Sequence, residues 1–154
     1  MARVTWNSKQ VIDSIKATQS QSMNDACEFL SDKIKDSMKP GTGRWWPSKK
    51  GDGSLHQASI PNTAPAPDTE ELKNSISWAA STGSSGGGEG SEKVTAPFYG
   101  ANTNIIAGKI GTTNGKGILH EMAWTIDGAK RPFIRPAFTE SEDELIRILG
   151  KNKI

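Results

Sequence analysis

The chain has 154 residues, a formal net charge of +2 and a hydrophobic content of 34%, and it includes 16 glycines and 8 prolines. This length suits one domain, residues 1–154, but so few apolar residues predict a modest core that neighbouring subunits complete. The weak net charge argues against a dedicated nucleic-acid-binding protein, because such proteins concentrate basic residues on one face.

Two further features concern the compartment in which the chain is made. The N-terminus lacks the apolar core of a signal peptide, and no stretch approaches the roughly 18 apolar residues of a membrane-spanning helix. We therefore expect no membrane partner and synthesis in a reducing cytoplasm. The single cysteine, Cys27, excludes an internal disulfide. It lies in a helical pattern, which favours a small buried residue over a reactive thiol.

Residues 1–40 predict one long helix. Between Asn7 and Met38 there is no proline or glycine, and apolar residues recur there at helical spacing. Asn7 or Ser8 can cap the start, and the sequence KPG at residues 39–41 ends the helix. About 30 residues would extend about 45 Å. The polar centre, KATQSQS, interrupts the apolar stripe, so we expect the two ends to pack against different surfaces.

Residues 41–68 read as an extended arm that is rich in proline and has no apolar periodicity. The arm contains the adjacent tryptophans Trp45 and Trp46, which are uncommon in a simple linker. One interpretation is that they fold back onto the long helix. The other is that they anchor the arm on a neighbouring chain, since tryptophan is enriched at the centres of interfaces.

Residues 69–154 predict a small antiparallel sheet. The segments SISWAAS, residues 75–81, and NIIAGKIGTT, residues 104–113, have the pattern of strands and would pair as a hairpin. A flexible glycine-rich loop, about residues 82–93, would form its tip. The segment TIDGAKRPFI, residues 125–134, is predicted to be extended and is a candidate for a third strand.

Two helices are predicted around this sheet. GILHEMAW, residues 117–124, indicates a short helical insertion, and residues 136–149 indicate a C-terminal helix that begins at Pro136. The side chains expected to face inward are Ile118, Leu119 and Met122 in the first, and Phe138, Leu145, Ile148 and Leu149 in the second. The predicted fold is therefore α+β: a long N-terminal helix, a small antiparallel sheet with a short helical insertion, and a C-terminal helix.

Two stretches resemble catalytic or ligand-binding motifs but lack the residues that these motifs require. GTTNGKG, residues 111–117, has the wrong spacing for a phosphate-binding loop and lacks its magnesium-binding Ser or Thr. His120 and Glu121 match half of a zinc-protease motif, but Trp124 occupies the position of the second histidine. We therefore expect no catalytic, cofactor-binding or metal-binding residues, and no enzyme.

Basic residues bracket aromatic ones at two places, residues 44–50 and 130–135. Such clusters can bind single-stranded nucleic acid, and they also fit a protein interface, where arginine and aromatic residues are enriched. The small net charge favours the interface, and a weak nucleic-acid-binding module is the alternative from a different class. The suspected contact residues are Trp45, Trp46, Arg131 and Arg135.

The segment RPFIRPAF, residues 131–138, is similar to the signature of the tail-completion (neck) family of long-tailed bacteriophages. Members of that family typically carry a PARPFLRPA-like segment that opens the C-terminal helix. DTEELKNSIS, residues 68–77, resembles the family's DTGRLRNSI-type approach to its first strand. GKIGTT followed by ILHEMAW resembles its strand and short helix, although Met122 and Ala123 replace the glycine and threonine of the family. The residues that carry the match are Leu72, Asn74, Ser75, Ile76, Glu121, Pro132, Phe133 and Pro136.

The resemblance implies a structural virion protein of the head–tail junction, assembled in the cytoplasm of a host bacterium. It would form a ring, expected to be a hexamer, that completes the tail and allows head–tail joining. Its partners would be copies of itself and the head-closure, tail-terminator or tail-tube proteins, with genomic DNA in contact only by proximity. Arg131 and Arg135 would hold the C-terminal helix or a ring neighbour in register. A tail terminator, which caps the tail tube, is the alternative within this class.

Overall fold

The computed structural model describes residues 7–88, 94, 105–112, 114–121 and 129–150. Their fold is α+β, as the sequence predicts, with a long N-terminal helix, small antiparallel sheets and C-terminal helices. In chain order the elements are α1 (Ser8–Ser37), β1 (Trp45–Pro47), β2 (Leu55–Gln57), α2 (Glu71–Asn74), β3 (Ser77–Ala80), β4 (Ser85–Gly87), β5 (Gly108–Gly111), α3 (Gly115–Glu121), α4 (Ile134–Glu140) and α5 (Glu142–Gly150). No helix within these ranges combines the length and the apolar character needed to cross a membrane.

Helix α1 begins directly after Asn7, one of the two predicted caps, and ends at Ser37, close to the predicted stop at residues 39–41. The side chain of Asn7 caps its first turn by accepting a hydrogen bond from the backbone N–H of Gln10 at 3.2 Å. The two halves of the helix differ, as the polar centre indicates. Residues 7–21 are almost all exposed, whereas the C-terminal half buries Ala26, Cys27, Leu30 and Ile34.

A three-stranded antiparallel sheet has the order β4-β3-β5, and all four residues of its central strand are buried. The pairing of β3 with β5 places Trp78 opposite Ile110 and confirms the predicted antiparallel pairing of these two segments. They do not form the predicted hairpin, because β4 lies between them in the chain. The predicted flexible loop over residues 82–93 is wrong at Ser85–Gly87, which forms β4. Glycine allows this pairing because a Cβ at position 86 would lie only 2.7 Å from the indole nitrogen of Trp78.

The C-terminal half of α1 packs against the sheet and against α4 and α5, which gives the fold its main hydrophobic core. The buried members of this core are Ala26, Leu30, Ile34, Met38, Ile76, Phe133, Ala137, Leu145 and Ile148. A smaller cluster of Cys27, Trp78 and Ala80 lies between α1 and the sheet.

The predicted C-terminal helix over residues 136–149 is two helices, because the chain turns at the buried residue Ser141. Leu145 and Ile148 are buried as expected. Phe138 and Leu149 were expected to be buried too, but they are 52% and 46% exposed. The apolar residues of this segment cover more of the helix circumference than the core can contact.

Two other predictions for this half of the chain need correction. Leu119 was expected to face inward and is exposed, while Met122 lies outside the described residues. The candidate third strand is also wrong where it can be assessed, since residues 129–133 adopt no strand and β4 is the third strand. Proline at position 132 removes a backbone donor, which disfavours sheet pairing there.

Candidate functional site

The segment RPFIRPAF forms the approach to α4 and its first turns. Phe133, the residue before the helix, is fully buried and belongs to the main core. Pro136 lies in the first turn of α4, where the missing N–H of proline costs nothing because these donors have no acceptor within the helix. Pro132 restricts the extended approach. The segment therefore fixes where the C-terminal helices begin.

Glu121, the last residue of α3, caps α4. Its Oε1 accepts hydrogen bonds from the backbone N–H groups of Phe133 at 2.9 Å and Ile134 at 2.7 Å. The residues that precede this contact in the chain are also bonded, since the N–H of Arg131 donates to the carbonyl of His120 at 2.9 Å. A carboxylate is a strong acceptor for the unpaired donors of a helix start. The end of α3 is thus joined to the start of α4 by charge-assisted hydrogen bonds.

Arg131 ties the same segment to residues 59–62. Its side chain is only 7% exposed, and Nε donates to the carbonyl of Ser59 at 3.3 Å. Beside it, the N–H of Asn62 donates to the carbonyl of Lys130 at 2.8 Å. Arg131 was a suspected interface residue, but its burial makes it a contact within the chain. Arg135 is exposed and remains a candidate for contact with a partner.

The DTEELKNSIS stretch contacts the other two stretches that carry the family resemblance, which are GKIGTT with ILHEMAW and RPFIRPAF. Ser75 Oγ donates to the carbonyl of Leu72 and shares a second hydrogen bond with Thr112 Oγ1, each at 2.6 Å. Ile76 is fully buried in the main core, whereas Asn74 is exposed at the end of α2.

Gly117 marks the point where the three stretches converge. A Cβ there would overlap Thr112 Cγ2 and would lie 3.3 Å from Leu72 Cδ1 and 3.5 Å from Phe133 Cζ. Glycine therefore allows α3 to pack between Leu72 and Phe133. Leu72, Ser75, Ile76, Glu121 and Phe133, all from the resemblance to the tail-completion family, contribute to one connected structural unit.

The predicted arm contains an antiparallel hairpin, formed by β1 and β2, in which Trp46 lies opposite His56. The ladder continues towards its base, where the N–H of Gly43 donates to the carbonyl of Ala58 at 2.7 Å. At Gly41, a Cβ would overlap the backbone of residues 57 and 58, so only glycine fits this close approach.

Asp68 anchors the tip of the hairpin. Its carboxylate accepts hydrogen bonds from the N–H of Lys49 at 2.8 Å and from the hydroxyl of Ser48 at 2.6 Å. These bonds, together with the nearby imidazole of His56, hold the pKa of Asp68 below its usual value. This anchor is not predicted from the sequence. The Asp52-Gly53 pair in the turn is a local signal for the hairpin, but it does not indicate that Asp68 anchors it.

Trp45 and Trp46 are both exposed, at 57% and 37%. The interpretation that they fold back as core residues on α1 is therefore wrong, and the interpretation as an interface remains a prediction. The guanidinium of Arg44 lies 4.4 Å from the centroid of the Trp46 ring, a cation–π contact that holds this ring against the hairpin. Trp45 has the larger accessible surface.

Cys27 was expected to be a buried residue rather than a reactive thiol, and it is buried between α1 and the sheet. Burial raises the pKa of its thiol to about 11, so the thiolate needed for nucleophilic chemistry is scarce at neutral pH. Over the described ranges, no three His, Cys, Asp or Glu side chains are grouped so as to hold a metal ion.

Comparisons with protein-family models, with curated proteins and with solved structures found no significant match for this chain. The function is therefore inferred from the residues of the chain itself and from the way the fold connects them.

Proposed function

We propose that the protein is a structural virion component of the head–tail junction of a long-tailed bacteriophage. It is a tail-completion protein that assembles as an oligomeric ring, expected to be a hexamer, and allows the head to join the tail. The observation that carries the proposal is the segment RPFIRPAF together with its contacts to Glu121. Two parts of the sequence that resemble the family, RPFIRPAF and Glu121, are thus hydrogen-bonded to each other.

The roles of these residues suit a structural protein. Phe133 fills the core, Glu121 caps α4, and Arg131 ties the segment to Ser59. Each role fixes the position of the C-terminal helices relative to α1 and the sheet. A ring subunit needs such fixed geometry because errors in the angle between neighbours add up around the ring.

The exposed apolar surface supports an assembled protein. Eleven large hydrophobic side chains of the described residues are at least 36% exposed, and where such side chains form a contiguous patch they commonly mark a site of protein–protein contact. They are Val11, Ile12, Trp45, Trp46, Leu55, Ile60, Ile105, Leu119, Phe138, Ile146 and Leu149. Burial of part of this surface between copies would supply free energy that the modest core lacks.

The N-terminal half of α1 supports the same proposal. Residues 7–21 are almost entirely exposed, although Val11, Ile12 and Ile15 share an apolar stripe there. At 1.5 Å per residue this part extends about 20 Å. A helix half with an apolar stripe and so few contacts within its own chain suits a subunit that completes its packing in an assembly.

The test is deletion of the gene from the phage or prophage genome that encodes the chain. We expect DNA-filled heads and separate or aberrant tails in electron micrographs, and restoration of joined particles by the gene supplied on a plasmid. Normal infectious particles from the deletion strain would contradict the proposal. Cryo-electron microscopy of intact virions would separate tail completion from tail termination, because a terminator lies directly on the last ring of the tube.

The nucleic-acid alternative is tested with the purified protein. Binding to single-stranded DNA that weakens steeply as salt rises would favour it, since each released counterion contributes to the salt dependence. We expect no measurable binding at physiological salt.

A further inference from the structure

The segment that forms the β1–β2 hairpin, residues 41–58, contributes nothing to the hydrophobic clusters of the fold. Every residue in this range is exposed or half-buried, and both clusters are built from residues outside it. The main packing partner of β1 is β2, whereas α1 packs against the three-stranded sheet and the C-terminal helices. Burial of apolar surface is the largest stabilising contribution to a fold, so the hairpin is held in place by other means. We call residues 41–58 the hairpin arm.

The hydrogen bonds that link the hairpin arm to the rest of the described chain all end at one carboxylate, that of Asp68. The hydroxyl of Ser48 donates to its Oδ1 at 2.6 Å, and the N–H of Lys49 donates to its Oδ2 at 2.8 Å. The imidazole of His56 adds a longer contact, with Nδ1 3.9 Å from Oδ1. Ser48 and Lys49 lie at the end of the arm that is remote from its two connections to the chain. A single carboxylate therefore holds the tip.

The internal hydrogen bonds of the hairpin arm do not involve Asp68. At its base the N–H of Gly43 donates to the carbonyl of Ala58 at 2.7 Å, and near its tip the N–H of Ser48 donates to the carbonyl of Ser54 at 2.9 Å. The carboxylate of Asp52 holds the turn by accepting a hydrogen bond from the N–H of Ser54 at 2.9 Å. Because these bonds persist when the bonds to Asp68 break, the arm can move as one unit.

The base of the hairpin arm is connected to two fixed points. Met38 is buried in the main core, and Ser59 is buried with its carbonyl bonded to the side chain of Arg131 at 3.3 Å. Gly41 approaches the opposite strand so closely that a Cβ would overlap its backbone, so both strands of the base move together. Only residues 39–40 on one side, and a single peptide bond on the other, connect the arm to these points. Hinges typically consist of a few such residues at the ends of elements.

We propose that the hairpin arm is hinged at its base, that it has a closed and an open state, and that Asp68 is its latch. In the closed state Ser48 and Lys49 donate to the Asp68 carboxylate. In the open state water replaces these bonds, while the arm keeps its own ladder and the core is unchanged. Opening exposes little apolar surface and therefore requires much less free energy than global unfolding. At about 3.4 Å per residue, the five residues from the base to Ser48 make the arm about 17 Å long.

The latch controls access to one side of the hairpin arm. Trp46 and His56 lie opposite each other in the ladder and share the side that is nearer Asp68. A partner that binds this side only in the open state has an apparent affinity reduced in proportion to the open fraction. The latch therefore restrains the arm until such a partner binds. The inference concerns the free chain, so it stands or falls separately from the proposed head–tail role.

The test is amide hydrogen exchange of the full chain, measured by NMR at several urea concentrations below the unfolding transition. Exchange through a small opening is almost independent of urea, because the urea dependence scales with the surface that is exposed. We expect this behaviour for the N–H of Lys49, with protection at least about 100-fold lower than that of the amides of β3. The β3 amides should show the full urea dependence of global unfolding. The same full dependence at Lys49 would overturn the open state.

The ladder amides show whether the hairpin arm moves as a unit or melts. The N–H of Ala58 donates to the carbonyl of Arg44 at 2.9 Å, and this bond lies within the arm. It persists in the open state, so Ala58 should be protected more strongly than Lys49 when each rate is compared with that of an unprotected amide. Equal protection of the two amides, with the same weak urea dependence, would mean that the arm melts and would overturn the hinge.

Removal of the carboxylate tests the latch itself. Asp68→Ala should speed exchange at Lys49 at least about 10-fold, the effect of losing one charge-assisted hydrogen bond, while the N–H of Ala58 stays protected. The matched control is Asp52→Asn, which removes a negative charge at the same tip but keeps an acceptor for the N–H of Ser54. Exchange at Lys49 should change less than about 3-fold in this control, as for a surface substitution outside the contact. Equal effects of the two variants would refute Asp68 as the latch.

Discussion

The carboxylate of Glu121 accepts a hydrogen bond from the backbone N–H of Ile134 at 2.7 Å and so joins the last residue of α3 to the first residue of α4. The residue in the capping position of α4 is Phe133, whose side chain is buried and offers no acceptor. Glu121 supplies the acceptor that the local sequence lacks. This hydrogen bond fixes the end of α3 against the start of α4, although twelve residues separate the two helices in the sequence.

Replacement of Glu121 is expected to destabilise the protein through the loss of this cap. Glu121→Ala leaves two backbone donors without their acceptor and should lower the free energy of unfolding by about 1–2 kcal/mol. Glu121→Gln keeps one oxygen acceptor and should cost less. Urea denaturation measures both. The control is Glu140→Gln at the exposed end of the same helix, for which a change within about 0.5 kcal/mol is expected. Equal effects of Glu121→Ala and the control would refute the cap.

Two phenylalanines five residues apart give a matched pair. Phe133 is fully buried in the main core, and Phe133→Ala should cost about 3 kcal/mol because it removes apolar contacts and leaves a cavity. Phe138 is half exposed on the outward side of α4, so Phe138→Ala should cost less than about 1 kcal/mol. Melting temperatures of the two variants measure the predicted difference in stability. An unchanged value for Phe133→Ala would mean that this side chain does not fill the core.

The sequence predicts those elements whose signals are local. Asn7 and the absence of breakers define α1, and the pattern of apolar and small residues marks β3 as a strand. Helical periodicity also groups the apolar residues of α4 and α5. It cannot indicate which flank of a wide apolar stripe meets the core, and for this reason Phe138 and Leu149 were expected on the wrong side.

Long-range contacts through the backbone are not visible in the sequence. The buried side chain of Arg131 donates to the backbone carbonyl of Ser59. Because every residue type has such a carbonyl, the sequence does not indicate which one the side chain contacts. The β1–β2 hairpin is equally hard to predict from the sequence. Its strands contain three residues each and are held by backbone pairing and by Asp68. Only the turn chemistry of residues 51–54 gives a local indication of it.

The anchor of the hairpin is expected to weaken in acid. Hydrogen bonds from Lys49 and Ser48 lower the pKa of Asp68, so its stabilising contribution is present above the usual pKa of an aspartate, about 4. The contribution is lost as the pH falls through the lower pKa of the folded state, because protonation removes the charged acceptor. Unfolding of the native chain and of Asp68→Asn should therefore differ at pH 7 and converge in strong acid.

The control for the loss of one negative charge is Asp32→Asn on an exposed position of α1. Its difference from the unmodified chain should be small at pH 7, where Asp68→Asn has its full effect. An Asp68→Asn variant as stable as the Asp32→Asn variant at pH 7 would refute the anchor.

The thiol of Cys27 is expected to be unreactive in the folded protein. It lies against Trp78 and Ala80, and β5 passes so close that a Cβ at Gly108 would overlap the sulfur. Burial raises its pKa to about 11, while an exposed cysteine has a pKa of about 8.5. At pH 8 this difference alone reduces the thiolate fraction at least about 100-fold, and the thiolate is the reacting species. Labelling with a chromogenic disulfide reagent should be slower by at least that factor in native buffer than in denaturant. Rapid labelling of the native chain would mean that α1 separates from the sheet often enough to expose the sulfur.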